Sequence, residues 1–199
     1  MGAINQEALL RSALVVSPPP KQANSVWASV ALIVAGADLD LLFIRRAVHA
    51  DDPWSGHVAL PGGRKDALDP HSEATARRET QEEVGILLQE DEHWGTLRPV
   101  QARSRTGVQG LWIMPHVYRI PGPPPAFTLN SNEAETARWI PVLRLLAPET
   151  QSHVEMETQV GKTKLPAWVI DDFTIWGLTY FMVRSFLEPL VDIGAKRPV

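Results

Sequence analysis

Cysteine is absent from the 199 residues, which removes disulfides, thiolate nucleophiles and cysteine-ligated zinc together. A metal on this chain must be held by oxygen or imidazole, and the composition suits a reducing compartment, so a cytoplasmic location is expected. A cationic excess is missing as well: 19 Lys and Arg face 23 Asp and Glu, a formal net charge of −4. No global positive field gathers nucleic acid or anionic lipid, so no nucleic acid is expected as a partner and any polyanion needs a local site. Long apolar runs are also wanting. The longest, at residues 30–35 with their neighbours, ends at Asp38, far short of the roughly 20 residues of a membrane helix. The opening Met1-Gly2-Ala3-Ile4-Asn5-Gln6-Glu7 has no basic stretch followed by an apolar core, so neither secretion nor membrane insertion is expected. There is no internal repeat, and 44% hydrophobic with 21% charged residues is ordinary usage for a folded domain.

What is present begins with 17 prolines. Pro18-Pro19-Pro20 separates a short helical opening at residues 7–15 from the first strand, because consecutive prolines hold extended backbone. This marks residues 1–22 as an extension, 23–192 as the domain and 193–199 as a tail. Residues 26–34 and 41–45 are rich in β-branched and large apolar side chains around Gly36-Ala37-Asp38, the pattern of two strands and a turn. A strand at 58–60 meets the turn Pro61-Gly62-Gly63, and residues 71–84 read as a helix stopped by Gly85. Further strands are expected at 97–101, 111–120 and 137–140, a helical turn at 142–146 and a closing helix at 174–187. The order predicts an α/β sandwich with a mixed central sheet.

The chemistry is concentrated in Pro61-Gly62-Gly63-Arg64-Lys65-Asp66-Ala67-Leu68-Asp69 and in Arg77-Arg78-Glu79-Thr80-Gln81-Glu82-Glu83-Val84-Gly85-Ile86. On a helix Glu79 and Glu83 lie about 40° apart and Glu82 about 60° to the other side, so three carboxylates share one arc. Such an arc repels itself, and a hard cation converts the repulsion into attraction. Carboxylates, with a backbone carbonyl from the glycine turn, suit Mg²⁺ or Mn²⁺. Arg64 and Lys65 follow glycines that let backbone approach an anion, and are candidates to hold diphosphate oxygens. Taken singly, a charged helix face or a Pro-Gly-Gly turn is ordinary; their conjunction at this spacing is not.

These residues resemble the signature of the Nudix hydrolases: a glycine, five residues, an acid, seven residues, then Arg-Glu-apolar-x-Glu-Glu-x-Gly-apolar. Gly63, Asp69, Arg78, Glu79, Glu82, Glu83, Gly85 and Ile86 occupy the matching positions. The first acid is Asp69 rather than Glu, eight residues rather than seven precede Arg78, and Thr80 replaces an apolar residue. The resemblance implies a Nudix-type α/β/α sandwich. Gly62 to Asp69, the preceding Ser55-Gly56-His57-Val58-Ala59-Leu60-Pro61 and the later Ile175-Trp176-Gly177-Leu178-Thr179 are similar to the coenzyme A pyrophosphatase branch. That branch's Arg-Ser-x-x-Leu-Arg-x-His pattern faces Arg45-Arg46-Ala47-Val48-His49-Ala50-Asp51-Asp52 here, a poor match.

By this resemblance Glu79, Glu82 and Glu83, with the Gly63 carbonyl, would hold Mg²⁺ or Mn²⁺, and a diphosphate bond would break by substitution at phosphorus. Arg78 is expected to orient Glu79 rather than touch substrate. The general base is either Glu79 or Glu133, an acid in a second loop. Arg45 and Arg46 are candidates for a 3′-phosphate, Arg64 and Lys65 for the diphosphate. Trp54 and Trp112 are the tryptophans placed for stacking, His57 and His116 are expected to be structural, and Arg103 and Arg105 either meet a phosphate or are solvated. The expected substrate is a small molecule linked through a nucleoside diphosphate, with CoA first. ADP-ribose, dinucleotides and nucleotide sugars are alternatives, a non-catalytic nucleotide-sensing module is a further one, and a homodimer is left open.

Overall fold

Strands β1 (Trp27–Ala35) and β2 (Asp40–Arg46) are apolar nearly throughout because both their faces are covered. In the computed structural model, which describes residues 5–15, 27–50, 54–102, 111–158 and 161–195, their side chains alternate between two cores. Leu32, Val34, Leu41 and Phe43 join one, and Ala31, Ile33, Leu42 and Ile44 the other. β3 (Val58–Ala59), β4 (Gly62–Arg64), β5 (His93–Thr96), β6 (Val100–Ala102), β7 (Leu111–Arg119) and β8 (Ala134–Pro141) complete an eight-stranded sheet with the path β3-β2-β1-β7-β5. β1 and β7 run parallel and the other pairs antiparallel, so the sheet is mixed.

Helix α2 (Ser72–Val84) covers one face through Ala76 and Val84. The other face carries α1 (Gln6–Arg11), α4 (Gly177–Ala195) and a three-stranded antiparallel sheet of β9 (Gln151–Thr158), β10 (Gly161–Ile170) and β11 (Phe173–Trp176). Between β8 and β9 a short helix, α3 (Val142–Leu146), buries Val142 and Leu145. The α/β sandwich with a mixed central sheet expected from element order is therefore present, and helices on both faces give the α/β/α layering that the resemblance implies. No described helix is long and apolar enough to cross a membrane.

Several boundaries differ from expectation. Residues 174–176 belong to β11 and the closing helix starts at Gly177: Asp171, at φ 54°, turns the chain so that Ile170 pairs with Phe173. Phe173 and Ile175 are buried while Thr174 and Trp176 are less so, which is strand alternation rather than helical spacing. The β9–β10 hairpin was not anticipated. One of its faces sets Glu155 opposite Lys164 and Glu157 opposite Lys162, and the other sets Val154 opposite Leu165 and Met156 opposite Thr163. Of the strand expected at 97–101 only the end is strand, as β6 from Val100; β5 ends at Thr96, and Leu97 to Pro99 lie between the two. Gly62 and Gly63, read as a turn, form a strand.

Candidate active site

β4 is the reason helix α2 comes so close to the sheet. It pairs antiparallel with β1, Gly62 opposite Val30 and Gly63 opposite Ser29. Gly62 has φ 151°, and a Cβ there would overlap the Ser29 carbonyl and Val30 Cα. A Cβ on Gly63 would collide with the Glu79 carboxylate. The bare strand thus leaves room for two carboxylates one helical turn apart to lie against its backbone, and the Gly62 N–H donates to Glu83 Oε2 at 2.8 Å.

Glu83 is 3% exposed, and burial pushes its carboxyl up to about 8 against the opposing Gly62 N–H; the charges of Glu79 and Glu133 add to the rise while Arg46 opposes it. Burial raises Glu79 as well, partly offset by its hydrogen bond to Arg78, with Glu82 and Glu133 adding repulsion. Glu82 is about half exposed and receives Arg78 Nη1 at 2.8 Å. The three acids expected on one arc are therefore graded, Glu83 and Glu79 inward and Glu82 at the edge. Among the described residues no three His, Asp or Glu side chains already converge as a metal cage. The donor chemistry nevertheless fits a hard divalent cation: hard oxygens, mutually repelling, packed on a glycine strand whose carbonyls are unshielded by side chains.

Arg78 does more than orient Glu79. Its Nη2 lies 2.9 Å from Glu79 Oε1, and its Nε and Nη2 donate to both oxygens of Asp69 at 3.1 and 2.9 Å. The same Nη2 donates to the Arg64 carbonyl at 3.1 Å. Asp69, 6% exposed, also accepts from Thr75 Oγ1 and the Asp66 N–H, and the Arg78 guanidinium holds it well below the usual carboxylate range. This accounts for the departures in the loop: the Asp66 to Asp69 turn brings the shorter acid to Arg78 despite the altered spacing. Lys65 Nζ closes the same turn on the Asp69 carbonyl at 2.6 Å, while Arg64 is exposed at its entrance.

Glu133 comes to the same place. Its loop is pinned to the end of α2 by Thr128 N–H on the Val84 carbonyl and Asn130 N–H on the Glu83 carbonyl, and its own carbonyl accepts from the Ala47 N–H. Asn130 Nδ2 donates to Glu133 Oε1 at 3.1 Å. Sequence reading found Glu133 but not the anchor; the signal was Asn130 two residues before Asn132, whose N–H it accepts in a local turn.

Arg45 and Arg46 part company. Arg46 contributes to the field at Glu83, whereas Arg45 donates to the Asp172 carbonyl and Oδ2 at 2.6 and 2.8 Å and lies over Phe173. The structure does not bring Arg45 to the acids. His57 tilts against Trp176, Trp112 stacks on Trp27, and His116, 3% exposed, bonds His93 and Ser72. Trp54 is partly exposed on the segment between β2 and β3, and Arg103 and Arg105 lie outside the described residues.

Residues 26–159 match the NUDIX domain model. The chain is 29% identical over 161 residues to human "Mitochondrial coenzyme A diphosphatase NUDT8", covering 79% of this chain and 65% of that protein. It is 30% identical over 183 residues to "Uncharacterized Nudix hydrolase NudL" of Photorhabdus laumondii, covering 89% and 93%. The chain spans about half to two thirds of the length of two curated relatives. Among solved structures, a MutT/nudix family protein from Enterococcus faecalis superposes with a TM-score of 0.56 at 15% identity, over 96% of this chain and 76% of that one, a likeness of fold. With the family model spanning both the glycine strand and the acidic helix that packs on it, the chain belongs to the Nudix family.

Proposed function

We propose that this protein is a metal-dependent hydrolase that cleaves the diphosphate bond of a nucleoside diphosphate derivative, with CoA or a CoA derivative as substrate. The observation that carries it is the pair Glu79 and Glu83 seated on the glycine strand with Glu133 facing them. Glu79, Glu82, Glu83 and the Gly63 carbonyl hold Mg²⁺ or Mn²⁺ in this reading. Such a cation, when bound, neutralises diphosphate charge and lowers the pKa of an attacking water.

The chain's own groups do the rest. Asp69 and Arg78 fix the Glu79 carboxylate, so that its position is set before substrate arrives. Glu133, steadied at Oε1 by Asn130, takes the proton from the attacking water. Arg46 and Arg64 supply positive charge for phosphate oxygens, and Lys65 keeps the turn from Asp66 to Asp69, just after Arg64, closed. The CoA assignment is supported by the branch-like motifs and by the NUDT8 relative. One observation favours a second reading, an ADP-ribose, dinucleotide or nucleotide-sugar substrate: Arg45, a candidate for the 3′-phosphate that distinguishes CoA, is committed to Asp172.

The test is a product assay over CoA, ADP-ribose, dinucleotides and nucleotide sugars with Mg²⁺ or Mn²⁺. Cleavage of CoA to 4′-phosphopantetheine and 3′,5′-ADP is expected. Activity that survives excess chelator would defeat the metal assignment, and cleavage of ADP-ribose without CoA would move the protein to the second reading.

A further inference from the structure

Ser29 is fully buried in β1, and its hydroxyl finds no hydrogen-bond partner among the described residues. Few buried hydroxyls in native proteins are left so, because the group has given up its water for nothing. An alanine would sit in the strand without that cost, as the buried Ala31 does two residues on. The side chain's direction follows from its neighbours. Ala31 and Ile33 pack in the core that Ala76 and Val84 of α2 close, and strand alternation puts Ser29 on that same face, under the acidic helix. It stands opposite Gly63 in the antiparallel pair of β1 and β4, and residues so paired point to one side of the sheet with β-carbons about 5 Å apart. The place of a Gly63 side chain is taken by Glu79, since a Cβ there would overlap Cδ and both oxygens of that carboxylate. The Glu79 carboxylate is therefore the cross-strand neighbour of Ser29. Arg78 holds its Oε1 at 2.9 Å, and Ser29 is the neutral donor on the β1 side.

We propose that Ser29 is a positioning residue for Glu79, its hydroxyl turning onto that carboxylate when the acids take up a divalent cation. The inference rests on the metal-dependent hydrolase reading and adds a residue to that site. Serine has three staggered settings about a single bond, and a change between them moves the oxygen by about 2 Å while the strand stays still. A carboxylate has lone pairs enough for Arg78, a cation and one further donor. A hydroxyl supplies that donor without a positive charge that would repel the metal, as a lysine or arginine at this position would. Alanine would supply nothing and leave the carboxylate freer to turn. Hydrogen bonds of this kind to ligating carboxylates fix their orientation and are felt in metal affinity. The hydroxyl is thus idle in the metal-free protein and engaged in the loaded one, which gives its removal opposite effects on the two.

The experiment compares Ser29→Ala, Glu79→Gln and the double variant with the unaltered protein, by Mn²⁺ titration read in electron paramagnetic resonance and by thermal melts with and without Mn²⁺. Alanine is smaller than serine and removes only the idle hydroxyl, so the melting temperature in metal-free buffer should hold or rise. The Mn²⁺ dissociation constant of Ser29→Ala should rise roughly tenfold, and the gain in melting temperature at a fixed Mn²⁺ concentration should shrink. In the Glu79→Gln background, Ser29→Ala should change Mn²⁺ affinity less than about twofold, because the hydroxyl acts through that carboxylate. A lower melting temperature without metal would mean that the hydroxyl is already bonded, to a buried water. Additive losses of affinity would separate Ser29 from Glu79, and unchanged affinity would make the serine plain core; each of the three overturns the proposal. If the unaltered protein binds no Mn²⁺, the metal site itself falls and the role of Ser29 with it, a result distinct from a Mn²⁺-binding protein indifferent to this substitution.

Discussion

Glu83 shows how one residue carries opposite demands. Folding buries it against the Gly62 N–H, and its carboxyl rises from an ordinary 4.5 to about 8. Between those values the folded protein binds a proton that the unfolded chain has released. The stability this group contributes is therefore fully present below about pH 4.5 and is lost as pH rises through 8. A divalent cation needs the opposite state, the ionised carboxylate, and its binding expels the proton. Glu83→Gln keeps the volume and removes the charge, so activity should fall by at least a hundredfold. In metal-free buffer the variant should gain on the unaltered protein from pH 5 to 8, by up to a few kcal/mol, read as a growing difference in melting temperature. A difference that is flat across this range would mean that Glu83 is already ionised without metal. The Asp69 and Arg78 pair behaves in the other sense. Asp69→Asn should cost about 2 kcal/mol of stability at pH 7 and lower kcat, because it releases the guanidinium that holds Glu79. If kcat is retained while stability falls, the pair is structural only.

At the scale of elements, the glycine strand and the acidic helix form one device, and the two glycines divide its work. At Gly62 an added Cβ meets backbone of β1 in a left-handed conformation, so neither side can give way. At Gly63 it meets the far end of a flexible glutamate, which can move aside. Gly62→Ala should therefore damage folding, with a loss of about 3 kcal/mol or more, while Gly63→Ala should fold with little loss and yet lose most of its turnover, since Glu79 is displaced. Thermal melts and initial rates on the two variants decide it, and a Gly63→Ala protein of full activity would remove Glu79 from the site. This device was largely legible in the sequence, because its residues lie within one stretch of the chain and helical spacing places Glu79 and Glu83 together. The strand character of Gly62 to Arg64 was not, since glycine has little intrinsic preference for strands and this one exists only through its pairing with β1. Long-range pairing hid the second sheet for a similar reason. Across the hairpin Glu155 pairs with Lys164 and Glu157 stands opposite Lys162, so much of it reads as a charged surface, and the apolar run Leu165 to Ile170 in β10 does not by itself reveal its partner strands.

For the whole molecule, the question is what fixes the second sheet to the first. The turn Asp171-Asp172 between β10 and β11 is gripped by arginines of the main sheet and of the segment after it: Arg45 of β2 and Arg138 of β8 reach Asp172, and Arg138 and Arg144 approach Asp171. Both Arg45 and Arg138 also lie over the ring of Phe173, at 5.0 and 4.6 Å from its centroid. Adjacent residues of a strand face opposite ways, which separates this grip from the acid site: Arg45 turns to the second sheet while Arg46 contributes at Glu83. From sequence the two arginines were one basic pair, and only the sheet's position tells them apart. Arg45→Ala should lower the melting temperature by several degrees through loss of its packing on Phe173 and its bond to the Asp172 carbonyl, while leaving the ratio of KM for CoA to KM for 3′-dephospho-CoA unchanged. Arg46→Ala should do the reverse, with the melting temperature held and KM raised roughly tenfold for phosphate-bearing substrates. If Arg45→Ala instead shifts the CoA ratio at constant stability, its contact with Asp172 is broken when substrate binds, and the basic pair works as a unit after all.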